Sequence, residues 1–315
     1  MSSDSQPSRA ILVTGATGKQ GGAVIDALLE SESGSAYKLI AVTRNAASSK
    51  AKSLVSRGAI VIQGDLNDVP AIFSDAKAAL SSSNADLWGV FSVQTAIGKG
   101  ASAELEEAQG KALVDAALSN NVKFFTYSSI DRGGDDSYDN YVPSVTHFVS
   151  KHRIEHHLVD NARGKMDWTI LRPVAFMENM EPGMGIKIMA TSWKVAVKEK
   201  PLQLVSVKDV GKAAARAFLR PHEFAGKQIP LAGEELTLEA ASAIFKSKKG
   251  TEIPETFQFL VRFLHWMIPE FGAMYRWFYT DGFGVDIVAS KRDNPGMLDF
   301  GSWIEEQYDQ DGKRA

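Results

Sequence analysis

A doubly wound parallel α/β sheet with a smaller C-terminal α+β lobe is the fold class this chain predicts, and three observations predict it. Apolar, β-rich runs alternate with helical periodicity through about residue 172. The first of these runs leads directly into a glycine-rich turn that opens a helix. After Arg172 and Pro173 the alternation stops, because proline cannot continue a ladder, and the composition shifts to Met, Trp, Phe and Gly.

The spacing predicts strands over Ala10–Thr14, Lys38–Thr43, Ala59–Gln63, Leu87–Ser92, Lys123–Ser128 and Trp168–Arg172. Helices fit Gly21–Glu30, Ser48–Arg57, Val69–Leu80, Ala103–Ser119 and Val145–Asn161. Successive βα units of this kind make a Rossmann-like domain over 9–173, after a disordered tail at 1–8. A smaller lobe over 174–308, packed on the first, and a polar tail at 309–315 complete the expected organisation. In the lobe, Phe257, Leu260, Val261, Leu264 and Ile268 recur at helical spacing, ahead of the aromatic cluster Phe271, Tyr275, Trp277, Phe278, Tyr279 and Phe283. Such a stripe is more often core than ligand box, yet lobes of this kind commonly roof the carboxyl ends of the strands.

Composition narrows the function classes. The 315 residues are 44% hydrophobic, enough for one large α/β domain with an appendage. Lysine and arginine number 35 against 38 acidic residues, a net charge of −3 without any basic stripe, so nucleic acid is not an expected direct partner. There are no cysteines, which excludes disulfides, thiolate metal sites and a cysteine nucleophile. Met1–Arg9 has no apolar centre, and the one suspicious run, Phe257–Ile268, is too short to span a bilayer and contains Arg262 and His265. The cytosol is the default expectation, with the nucleus as a further location.

The turn Gly15, Ala16, Thr17, Gly18, Lys19, Gln20, Gly21, Gly22 carries the chemistry. Between a strand and a helix, these glycines let backbone N–H groups and the positive helix end approach a diphosphate with no Cβ in the way, and a bound dinucleotide is expected. The end of the second strand reads Thr43, Arg44, Asn45, with no carboxylate. Arg44 can pair bidentately with a 2′-phosphate, which favours NADP(H) over NAD(H). Lys19 either adds to this or is a solvated loop lysine. Asp65 and Leu66 follow the third strand, where they face an adenine edge, or Asp65 caps the next helix. Val93, Gln94 and Thr95 follow the fourth strand, as the lining of the inner ribose and nicotinamide or as an ordinary polar turn.

Taken in order, GATGKQGG (15–22), TRN (43–45), GDLND (64–68), YSSID (127–131), HFVSK (147–151) and LRPVAFMEN (171–179) resemble the NmrA-like branch of the atypical short-chain dehydrogenases/reductases. The resemblance covers roughly residues 9–245, and the tail, including 257–287 and 295–303, is similar to fungal members. It implies that Lys151 lies at the nicotinamide ribose and that Phe176, Met177, Glu178 and Asn179 line the nicotinamide side. Classical reductases of the superfamily pair a serine with a TyrxxxLys helix, the lysine lowering the tyrosine pKa. Here the lysine is kept and His147 replaces the tyrosine. Ser128 or Ser129 stands where the carbonyl-orienting serine would be, and Tyr141 is a candidate proton donor from the preceding loop. His147 is either a proton donor or a packed helical histidine, and HFxxK also occurs in members that sense cofactor. His152 and His156 have metal-ligand spacing beside His157, but no third ligand is evident and no metal is expected. The resulting expectation is NADPH-dependent reduction of a small apolar carbonyl, imine or quinone. Its rival is a non-catalytic NADP(H) sensor acting on a protein partner such as a transcription factor.

Overall fold

The structure, a computed structural model, describes residues 8–83, 85–98 and 100–308. The tails expected at 1–8 and 309–315 therefore lie outside the described residues, apart from Ser8, which opens the first strand. The strands are β1 Ser8–Val13, β2 Tyr37–Thr43, β3 Ile60–Gln63, β4 Ala85–Ser92, β5 Phe124–Ser128, β6 Asp167–Pro173, β7 Ala175–Phe176, β8 Leu202–Val205, β9 Lys227–Leu231 and β10 Glu234–Leu236. The helices are α1 Lys19–Glu30, α2 Ser49–Ser56, α3 Val69–Leu80, α4 Ala103–Ser119, α5 Thr146–Ala162, α6 Met184–Ser192, α7 Val207–Leu219 and α8 Pro221–Phe224. The last five are α9 Leu238–Lys249, α10 Gln258–Met267, α11 Pro269–Thr280, α12 Ile287–Asp293 and α13 Phe300–Gln307.

Seven strands form one sheet in the order β3-β2-β1-β4-β5-β6-β9, and β1 through β6 pair in parallel. The order reverses between β1 and β4, the switch point at which a doubly wound sheet opens a crevice. Burial on both faces explains the unbroken apolar runs: Ala10, Ile11, Leu12 and Val13 are all fully buried. Helices start where short polar side chains satisfy their first amides. Ser48 accepts from Ala51 N–H at 3.2 Å, Asp68 from Ala71 N–H at 3.2 Å and Ser102 from Leu105 N–H at 3.1 Å.

The chain divides into two compact units that interleave in sequence. One comprises the chain up to Ser129, Ser150–Leu171 and Val210–Ile229; the other comprises Ile130–Val149, Arg172–Asp209 and Pro230 onward. The first unit is built around a core that includes Leu12, Ile40, Phe73, Val90, Phe125 and Ile154. The second holds a three-stranded sheet, β10-β8-β7, and its own core of Trp193, Phe148, Trp277, Phe278, Phe300 and Trp303. Tyr275, Trp277 and Phe278 of the aromatic cluster are buried as expected of core.

Two sequence expectations change. The sheet does not end at β6, because β9 adds a seventh strand. In addition, the apolar spacing of 257–268 does not mark an inward face: Val261 is buried, whereas Phe257, Leu260 and Ile268 are exposed. Among the described residues, no helix is long and apolar enough to cross a membrane.

Candidate functional site

The glycine turn meets the switch point in the first unit. Gly15 has φ +60°, which turns the chain out of β1, and Gly18 N–H donates back to Gly15 O at 2.8 Å. A Cβ on Gly21 would lie 2.4 Å from Gly15 O and 2.5 Å from Thr14 O, so only glycine lets α1 pack this closely on β1. Gly18 precedes α1 as an extended residue, and no side chain caps the helix. Its first-turn amides thus face the turn without an internal acceptor from a capping side chain, the arrangement that suits an anion.

Three further strand ends belong to the same unit. Val93 N–H donates to Thr14 Oγ1 at 2.9 Å, and the Thr14 hydroxyl lies within hydrogen-bond reach of Phe91 O and Val93 O. This ties the β4 end to the glycine turn. Gln94 is buried and donates to Ser92 Oγ at 2.8 Å, and Thr95 Oγ1 donates to Ile97 O at 2.9 Å. At the β2 end, Thr17 and Thr43 hydroxyls are 3.2 Å apart, and Asn45 Oδ1 accepts from Ala47 N–H at 3.0 Å. Arg44 is exposed there, and its guanidinium meets no acceptor among the described residues. Lys50, which sequence reasoning passed over, reaches the turn: its Nζ donates to Thr17 O at 3.4 Å. Asp65 Oδ1 accepts from Asn67 N–H at 2.9 Å, and it is Asp68, not Asp65, that caps α3. Leu66 is half-buried against the core, and Ala16 is buried under the turn.

The residues with catalytic candidacy are held by partners the sequence did not announce. Ser128 Oγ donates to Gln20 Oε1 at 2.5 Å, joining β5 to the turn. Ser129 donates to the fully buried Glu155 on α5. Lys151 Nζ sits 3.0 Å from Glu106 Oε1 of α4, and Ser150 donates to the other oxygen of that buried carboxylate. Lys151 also lies 5.8 Å from the centre of the Tyr127 ring. An ammonium has three donors, so the Glu106 bond does not exhaust it.

Tyr141 and His147 belong to the second unit. Tyr141 is 46% exposed. His147 is nearly buried, packs edge-on against Phe148, and pairs through Nδ1 with Glu270 of α11. Glu270 also accepts from the backbone N–H groups of Thr146 and His147 at 3.0 Å each and from the Thr146 hydroxyl at 2.6 Å. Burial pushes the Glu270 pKa up, but the bonds from His147 and Thr146 outweigh it and hold it at about 2.

Of the four residues expected beside the nicotinamide, the side chains of Met177 and Glu178 are structural. Met177 is fully buried in the core of the second unit. Glu178 Oε1 accepts from Ser206 Oγ and Val207 N–H at 2.9 Å each and from Trp303 Nε1 at 3.2 Å. Burial raises its pKa against those bonds. Phe176 is half-buried and Asn179 exposed, so these two keep accessible side chains. Along α5 the rings of His152 and His156 are 4.3 Å apart, and His157 Nε2 pairs with Asp115 Oδ1 at 2.7 Å. No group of three metal ligands assembles among the described residues.

Sheet order, switch-point turn and uncapped helix together define the Rossmann-like α/β class. Within it, the chain belongs to the NmrA-like family, whose model matches residues 7–290. It is 27% identical over 276 residues to the NmrA-like family domain-containing oxidoreductase notA′ of Aspergillus versicolor, covering 80% of this chain and 71% of that protein. Among solved structures it is similar to a Citrobacter triphenylmethane reductase complexed with NADP(H), with TM-score 0.68 and 19% identity over 94% of this chain and 99% of that one. It is also similar to NmrA, a negative transcriptional regulator, in complex with NADP, with TM-score 0.67 and 16% identity over 98% and 97% of the two chains.

Proposed function

We propose that the chain binds NADP(H) at the β1–α1 turn and reduces a small, largely apolar carbonyl, imine or quinone. The observation that carries this reading is the fit of the turn: a glycine where any Cβ would strike the backbone leaving β1, an uncapped helix start, Arg44 at the β2 end with no carboxylate next to it in sequence, and Lys50 reaching the turn from α2. The cofactor, when bound, supplies the hydride. The first amides of α1 suit its diphosphate, Arg44 and Lys50 its 2′-phosphate, and Lys151 offers a donor to a ribose hydroxyl. The reduction also needs a proton. Ser129 is tied to Glu155, so the candidate donors are Tyr141, His147, water and the Lys151 ammonium through the donors its bond to Glu106 leaves over. Water as the donor suits acceptors such as quinones, whose reduced anion can draw its proton from solvent.

A second reading, the non-catalytic sensor, is favoured by the same ties, because a serine and a lysine committed to buried carboxylates serve the fold as much as a reaction. The relatives divide in the same way, into a reductase and a transcriptional regulator by their descriptions.

Arg44→Ala should weaken NADPH by about 1.5–3 kcal/mol, the range of a charge-assisted bond, and leave NADH nearly unchanged. Lys50→Ala should follow the same pattern at about 0.5–1 kcal/mol. Calorimetric titration with both cofactors checks this, and equal losses for NADPH and NADH would remove the 2′-phosphate assignment. For the reaction, single-turnover NADPH oxidation against quinones, aldehydes and imines is the test. Loss of roughly a hundredfold or more in Tyr141→Phe or His147→Phe, with NADPH affinity kept, identifies that side chain as the donor; unchanged rates in both leave water or Lys151. No oxidation with any acceptor, together with capture of a protein partner that depends on NADP or NADPH loading, replaces the reductase with the sensor.

A further inference from the structure

We propose that the exposed face of α10 is a self-association surface, and that its occupant is the same face of a second copy of this chain. A surface helix ordinarily buries its apolar stripe and turns polar residues to solvent. On α10, Val261 is buried and Leu264 half-buried on the inner side, but Phe259, Phe263 and Trp266 stand 67%, 56% and 73% exposed. Their i, i+4, i+7 spacing makes one ridge along the helix, which Phe257, Leu260 and Met267 widen. The rings are already in register with each other: Phe257 lies 5.7 Å from Phe259, and Phe263 lies 5.7 Å from Trp266. Ordering these side chains on association therefore costs little.

Area and charge select the occupant. Large side chains exposed to this extent offer on the order of 100 Å² each, about 600 Å² for the six. That is at the top of the ~300–600 Å² found for the largest patch of a monomer, and supplies most of the ~800 Å² that each partner gives to a standard interface. Between Phe257 and Ile268 the only lysine, arginine or acidic residue is Arg262. A lipid surface draws helices that carry several basic residues beside their apolar face, and a charged partner needs more counter-charges than one. A two-fold contact needs only one patch that complements itself, and a ridge of Phe and Trp packing against its own copy meets that requirement.

Sedimentation velocity of the full chain tests this between about 1 and about 50 µM. The wild type should sediment as a dimer within that range. The double variant Phe263→Glu with Trp266→Glu should sediment as a monomer, with circular dichroism and melting like the wild type. Should the acidic pair perturb folding, Phe259→Ser with Trp266→Ser, both at exposed positions, should raise the dissociation constant at least tenfold. A monomeric wild type at the highest concentration overturns the proposal, as does a folded double variant that stays dimeric. Flotation of monomeric protein with phosphatidylcholine–phosphatidylserine vesicles would overturn it in favour of a lipid surface.

Discussion

Gly21→Ala is expected to destabilise the chain by about 2–3 kcal/mol and to abolish dinucleotide binding. The added carbon would sit 2.4 Å from Gly15 O and 2.5 Å from Thr14 O. Both are backbone atoms of the turn that leaves β1, so no rotamer change relieves the overlap and α1 must move away from the turn. Moving α1 displaces the amides that face the turn. In a chain of this size the change should lower the melting temperature by roughly 3–5 °C. Neighbouring glycines are the controls. At Gly22 a Cβ finds its nearest neighbour, Ala16 O, at an ordinary 3.5 Å, so Gly22→Ala should melt at or slightly above the wild type. At Gly18 the closest atom is Gly15 O at 3.1 Å, a milder overlap than at Gly21, so Gly18→Val should cost less stability than Gly21→Ala, keep the fold and lose binding, its side chain filling the space above the turn. Wild-type melting for Gly21→Ala would mean that α1 does not pack on β1 as described.

Glu270→Gln should cost about 2 kcal/mol at neutral pH, with a dependence on acidity that identifies the cause. The carboxylate sits in the first turn of α11 and at the start of α5, where it meets the positive ends of two helices and four donors from Thr146 and His147. A pKa lowered from 4.5 to about 2 corresponds to about 3 kcal/mol, and the fifth of the side chain that meets solvent screens this to roughly 2. Because the folded-state pKa is depressed, the contribution is complete above about 4.5 and decays as the pH falls toward 2. Urea denaturation of wild type and variant should therefore differ most at neutral pH and converge as the pH approaches 2. A gap of constant size across that range would assign the loss to packing instead of charge.

The six parallel strands were legible because strands covered on both faces are written as unbroken apolar runs, and Ile11, Leu12 and Val13 form one that is too short for a helix and is closed by a glycine turn. β9 was not, since Lys227–Leu231 is short and holds Pro230, which reads as a break. The strands of the small sheet are two to four residues long, below any periodicity. The glycine turn and Arg44 were legible as local patterns. Glu106, Glu155 and Glu270 were not, because a carboxylate that holds Lys151, Ser129 or His147 from 26 or more residues away leaves no local mark. Lys50 was missed for a related reason: α2 carries it to the turn from the next βα unit. At α10 the spacing was right and the inference wrong, since periodicity reports which residues share a face and not whether that face is covered.

The interleaving of the two units bears on how the chain is made. It passes from one unit to the other five times, and the unit that carries the glycine turn closes only with Ile229. As the chain leaves the ribosome, β1 to β6 emerge well before β9, and two stretches that belong to the other unit interrupt them, 130–149 ahead of β6 and 172–209 ahead of β9. Neither unit is then available to fold as an N-terminal piece ahead of the rest, the usual order for tandem domains. Fragments cut near residue 173 should be poor starting points for expression, and exchange of the C-terminal lobe with that of a relative would have to graft three separate segments.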